Sequence, residues 1–115
     1  MASNISVKTQ QTTIGASTAE TTIVTANPNT RTRLAGLVIT TLNAAASTLT
    51  LRSATGGTAR MILDFPSTAA VPVAPLVLNF SPALEQREGI NNNWTLQASV
   101  SATGFKITAL YQDAE

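Results

Sequence analysis

Apolar and polar residues alternate with a period of two along most of this chain, and helical periodicity is scarce. Trp94, Leu96, Ala98 and Val100 fall on one side of an extended segment, with Thr95, Gln97 and Ser99 on the other. Phe105, Ile107, Ala109 and Tyr111 repeat the pattern opposite Lys106 and Thr108. So do Leu76, Leu78 and Phe80, then Met61, Leu63 and Phe65 with Asp64 on the far face, then Leu49 and Leu51 within residues 47–52. Thr21 to Thr25 is a short β-branched run, and Arg33 to Leu42 is almost continuously apolar, with Gly36 marking a candidate bulge. Ile5 and Val7 alternate with polar neighbours near the start.

These segments predict about eight short strands. Turn chemistry separates them: Asn27-Pro28-Asn29, Gly56-Gly57, the prolines at 66, 72 and 75, Ser81-Pro82 through Gly89, Asn91 to Asn93, and Thr103-Gly104. Gly56-Gly57 suits a hairpin turn between Leu51 and Met61. Eight antiparallel strands in one small domain give an all-β fold, a single-domain sandwich or barrel. Ala83 to Glu88 suits one isolated helical turn, and Val71 to Pro75 suits an extended loop, because proline lacks the ladder donor. The chain divides into residues 1–20, either an arm that orders on a partner or an edge strand at Ile5 to Thr9, and a sandwich domain over residues 21–115.

Composition narrows the function. The chain has 115 residues, no cysteine and no histidine, so thiolate and imidazole chemistry, disulfides and Cys/His metal sites are excluded. Charged residues are 11 %, less than half the usual share for a soluble domain, and the net charge is +1. That charge gives little pull toward nucleic acid or an anionic membrane, and neither is an expected partner. Thr, Ser, Asn and Gln replace ions at the surface. They cost less to desolvate than ions, which suits a surface packed against other protein, although a Thr-rich β-protein has the same composition. The first residues have neither a basic segment nor an apolar one, which predicts a chain made in the cytoplasm.

Few residues carry chemistry. Glu85 and Glu88, three apart, would share a face of a helical turn, where they would form a cation or glycosidase pair or a solvated turn beside Arg87. With Asp64 they are the acids a small hydrolase would have to use, but the expectation is no enzyme and no cofactor. Asp64, mid-strand and opposite the apolar face, reads as an edge charge that discourages strand pairing. Arg31 and Arg33 flank Thr32 and share one side of an extended chain, placed to pair with acids or phosphates. Trp94 after Asn93 reads as a rim-of-core residue, or as a carbohydrate-stacking platform in a receptor- or glycan-binding module of a phage tail or head fibre.

Residues 30–111 carry a wider pattern. Arg31-Thr32-Arg33 leads into an apolar strand, and Leu76 to Phe80 is followed by Ser81-Pro82 and a Glu-containing turn ending at Gly89. Trp94 to Val100 and Gly104 to Tyr111 close the chain. This order of strands and turns resembles small structural proteins of tailed bacteriophages. The resemblance implies a jelly-roll-like sandwich in the virion, a capsid decoration or cement protein. It implies a homotrimer bound across subunits of the major capsid protein at the capsid surface, stabilising the shell. The candidate contact residues in such an assembly are Ile5, Val7, Arg31, Arg33 and Arg87. A strict jelly roll needs its last two strands in opposite sheets, whereas the short Ser101 to Gly104 turn also suits a simple hairpin.

Overall fold

The protein is described by a computed structural model covering residues 7–15, 18–41, 46–65, 75–86, 88–99 and 104–114. These described residues form eight strands: β1 (Lys8–Ile14), β2 (Thr21–Val24), β3 (Arg31–Thr41), β4 (Ser47–Arg52), β5 (Ala59–Phe65), β6 (Leu76–Leu84), β7 (Trp94–Ala98) and β8 (Phe105–Ala114). All pairings are antiparallel, in two four-stranded sheets: sheet I, ordered β1-β8-β3-β6, and sheet II, ordered β2-β7-β4-β5. Except from β4 to β5, each strand is followed by one in the opposite sheet. This is a β-sandwich with the strand order of a jelly roll. Strands β7 and β8 lie in different sheets and do not pair with each other, so they form no hairpin.

The alternation read in the sequence sets which side faces in. Leu34, Leu37, Ile39, Phe105, Ile107 and Ile14 from sheet I meet Leu49, Leu51, Leu96, Trp94, Phe65 and Ile23 from sheet II, all buried. Phe65 and Phe105 touch across the gap, with ring centroids 5.2 Å apart and planes tilted by 60°. That tilted geometry adds to the area the two rings bury.

Two irregularities shape sheet I. Leu34 pairs with Tyr111 and Gly36 with Leu110, so Ala35 is an extra residue in β3. A Cβ on Gly36 would lie 2.8 Å from the Leu78 carbonyl oxygen, so this approach of β3 to β6 requires glycine. On the other side, Gly36 pairs with Asn79 but Leu34 with Leu84, which leaves extra residues bulged out of β6 around the cis Ser81-Pro82 bond. The proline is tolerated because β6 is an edge strand. The Gly56 turn (φ +71°) closes the β4–β5 hairpin, with the Gly57 N–H donating to the Ala54 carbonyl at 3.0 Å.

Three expectations are corrected. The expected early edge strand is present but lies further along, at Lys8–Ile14, where it pairs over its whole length with β8, and Ile5 and Ser6 lie outside the described residues. Ile14 is in the core, so the sandwich begins well before residue 21. Ala83 to Glu88 forms no helical turn. Strand β6 runs through Leu84, and no helix occurs among the described residues. The Val71 to Pro75 loop lies outside the described residues except for Pro75. No helix among the described residues is long and apolar enough to cross a membrane.

Candidate interaction surfaces

The end of the sandwich where β3 begins is closed by side chains. After Leu34 pairs with Leu84, the register would next bring Thr32 opposite residue 86. There the Gln86 side chain continues the ladder: its Oε1 accepts the Thr32 N–H at 2.9 Å. Its Nε2 donates to the carbonyls of Ser53, at 3.2 Å, and Asn92. The Trp94 indole N–H completes the set by donating to the Thr32 carbonyl at 2.8 Å. Gln86 and Trp94 are both buried, and each is polar-satisfied across the two sheets.

Trp94 therefore offers no stacking platform. Its ring is 0 % exposed. Asn93 is committed as well, since its Oδ1 accepts the Ala26 N–H at 2.6 Å. Asn91 does the same for the Asn29 N–H at 2.7 Å, so the asparagine runs bind two loops to each other. Of the two readings of Trp94 the core one holds, deeper than a rim, and the alternative glycan site at Asn93 and Trp94 is replaced by a core anchor and a loop clamp. The physical reason is that the strand begins at Trp94 with its side chain on the inner face.

Of the expected contact residues, Val7 is 52 % exposed just before β1. Arg31 is exposed and Arg33 half-buried, with Thr32 buried between them, so the arginines emerge together from sheet I. Ile5 and Arg87 lie outside the described residues. The acids do not form a pair. Glu85 carries an ion pair to Arg33 at 3.0 Å, whereas Glu88 accepts from Ser53 Oγ. Asp64 is exposed on the edge strand β5, next to Ile62 at 61 % exposure. No group of three acids that could hold a metal occurs among the described residues.

The outer faces of the two sheets differ. On sheet II, Arg52, Gln97, Thr95 and Glu20 are tied to one another and to a strap over residues 18–20, while Ile62 and Asp64 stay exposed on the edge strand β5. Arg52 donates to Gln97 Oε1 at 2.7 Å, and Gln97 Nε2 donates to the Thr18 carbonyl at 3.0 Å. Glu20 accepts the Thr95 hydroxyl and, at 3.0 and 3.1 Å, the Gly56 N–H. Thr95 is buried beneath it. On sheet I the strand positions facing out form a shallow groove lined by Gln11, Thr13, Val38, Thr40, Lys106 and Thr108. Beside it Val77 is 57 % exposed and Leu110 is half-buried. None of these outward residues is acidic.

A second surface lies at the rim of sheet I, where β6 departs. Arg33, Arg60, Leu84, Glu85, Gln86 and Gln112 line an open cleft there. Arg60 Nη1 donates to the Glu85 carbonyl at 2.6 Å and to Ser53 Oγ at 3.1 Å, and its guanidinium lies 5.5 Å from the Trp94 ring centroid.

Sequence reasoning missed Glu20, Gln86 and Arg60. Each has at least one partner more than 20 residues away, Gly56 for Glu20, Thr32 for Gln86 and the Glu85 carbonyl for Arg60, and nothing local marks it. The open face did leave a trace: Val77 and Val38 are apolar on the side their strands reserve for polar residues. Comparison with known protein families, with curated proteins and with solved structures finds no match.

Proposed function

We propose that this chain is a non-enzymatic building block of a virion, a capsid decoration protein that binds across subunits of the major capsid protein and stabilises the closed shell. The observation that carries the reading is the outer face of sheet I. Its groove is a strand surface of hydroxyls, an amide and aliphatic groups, with Lys106 as its one charge and no carboxylate among its lining residues. Such a face loses little by desolvation and gains by covering Val38, Val77 and Leu110. Sheet II is the weaker docking candidate, because Arg52, Gln97, Thr95 and Glu20 bond one another and the strap there.

The mechanism follows from linkage. A protein that binds the assembled shell and not its separated subunits stabilises the shell by mass action. If three copies associate, contacts after the first are intramolecular, and weak contacts sum to high avidity. The resemblance to phage structural proteins supports the trimer, as does the low charge. The test is to mix purified protein with decoration-free capsids and measure their rupture temperature, with the solution mass measured in parallel. The expected result is a trimer that raises the rupture temperature. A monomer that leaves capsids unchanged sinks the reading.

A further inference from the structure

Each sheet ends in two edge strands, β1 and β6 in sheet I and β2 and β5 in sheet II. An open edge offers unpaired backbone N–H and C=O groups to any other strand, and folded proteins blunt such edges with bulges, prolines, charges or shortness. Three of the four edges here are blunted. Strand β6 carries Pro82 and the residues bulged out beside its cis bond. Strand β2 has four residues, with Ile23 bulged out between Thr22 and Val24. Strand β5 has Arg60 bulged out opposite Arg52 and the exposed Asp64 near its end.

Strand β1 has none of these devices. Its seven residues pair with β8 in unbroken register, include neither proline nor glycine, and pair with no other strand among the described residues. Its one charge, Lys8, stands at the first position and is met by Asp113 at 2.6 Å. The edge is also ordered in a single copy. The Gln10 side chain accepts the Thr25 N–H at 2.9 Å and donates to the Thr25 hydroxyl at 3.3 Å, and Ile14 is anchored in the core. A strand already held in place loses little freedom on pairing.

We propose that β1 pairs antiparallel with β1 of a second copy about a two-fold axis at Gln11, joining two four-stranded sheets I into one continuous sheet. The occupant follows from the edges themselves. A second copy brings the same four edges, three of them blunted, so edge pairing between copies is left to β1 with β1. In the register centred on Gln11, Thr9 faces the partner's Thr13, Gln10 faces the partner's Thr12, and Gln11 faces the partner's Gln11. No like charges meet, and the threonine pairs suit a strand ladder. Thr9, Gln11 and Thr13 are exposed, so they are free to make these contacts. Such a contact is self-complementary and closes at two copies, which leaves no open edge to propagate a fibre. It is separate from the capsid reading, because it cannot close a ring of three. It doubles whatever unit the other surfaces form, a monomer or a trimer.

The test is sedimentation equilibrium of the full chain over a wide concentration range. Two seven-residue edges bury less than a standard interface, so the mass found at low concentration should double only at high concentration. Gln11→Lys and Gln11→Glu each set like charge against like across the axis, and each should weaken the doubling about tenfold or more. A one-to-one mixture of the two should restore it, because Lys then faces Glu. A merely structural role for Gln11 gives no such recovery, and a foreign partner of fixed charge would be weakened by one variant and strengthened by the other. Ile62→Lys, the matching change on the β5 edge, should leave the doubling within about twofold. Amide exchange in the unmodified chain gives a second readout: protection over residues 9–13 should rise with concentration, and protection over β5 should not. No doubling in the parent, undiminished doubling by Gln11→Lys, no recovery in the mixture, or doubling without added protection in β1 would each overturn the proposal. Capsid rupture temperature is a separate readout, so loss of one reading leaves the other intact.

Discussion

The outer faces of sheets I and II have similar residue types and opposite arrangements. On sheet II, Arg52, Gln97, Thr95 and Glu20 satisfy one another and hold the strap of residues 18–20 across the strands. On sheet I, Gln11, Thr13, Thr40, Thr108 and Lys106 stand along an uncovered groove, with Val77 and Leu110 beside it. Composition alone therefore does not define an interface. A threonine bound to a strap is finished structure, whereas one in an open row beside exposed aliphatics is available to a partner.

The comparison presumes that the two sheets behave as one body, and Trp94 is the residue that tests this first. It fills the core from sheet II and bonds to Thr32 in sheet I. Trp94→Ala should cost about 3–5 kcal/mol of stability by chemical denaturation, whereas Trp94→Phe, which strands the Thr32 carbonyl, should cost about 1–3 kcal/mol. A loss under 1 kcal/mol for both would mean the sheets do not depend on this junction.

Next comes the strap. Glu20→Ala leaves the Gly56 N–H and the buried Thr95 hydroxyl without their acceptor, and the loss should be about 1–3 kcal/mol. Self-association, read by analytical ultracentrifugation, should not change. If association fell with stability intact, sheet II would be the interface and the contrast would reverse.

A matched pair of substitutions addresses the faces directly. Val77→Asp and Ile62→Asp each place a charge at an exposed aliphatic position, on sheet I and sheet II respectively. Val77→Asp should weaken association or capsid binding by about tenfold or more, and Ile62→Asp should leave it within about twofold. Melting temperatures of the two variants should agree closely.

The smallest effect is expected at the edge of sheet I. Lys8 Nζ lies 2.6 Å from Asp113 Oδ2, and this hydrogen bond and charge raise the Lys8 amine above its ordinary pKa near 10.5. Because the folded value is the higher one, the contribution is complete below 10.5 and disappears as pH rises through the raised value. Lys8→Ala should therefore lower the melting temperature slightly at pH 7 and not at all above the raised value. The drop at pH 7 should be smaller than that of Glu20→Ala. A deficit that persisted in strong alkali would point to the lost aliphatic stem, not the ion pair.

Most of the strands and the inward faces were legible in the chain, because a side-chain period of two is a local property that burial enforces. The Leu49/Leu51, Leu96/Ala98 and Ile107/Ala109 sets are buried as the alternation predicts. The Gly36 bulge and the Gly56-Gly57 turn were legible for a similar reason, since backbone geometry restricts which residues occupy them. The Ala83 to Glu88 segment misled: its helix-forming residues follow Pro82 into an edge strand and then supply Gln86 to Thr32, and tertiary pairing outweighs one turn of propensity. Candidate site residues were legible only as types. Arg33 was visible as a surface cation, but not that Arg60 would meet it from the other sheet.

Composition and alternation are enough to make this a small all-β domain without thiol or imidazole chemistry and to orient most strands toward the core. Packing of the two sheets is needed to separate β7 from β8, to seal Trp94 inside, and to set Glu20 over Thr95 on one outer face while the groove on the other stays uncovered. The physical reason is range. Alternation and turn preference act between neighbours in the chain, whereas Glu20 with Gly56, Thr32 with Trp94 and Arg33 with Arg60 become neighbours only once two sheets have packed.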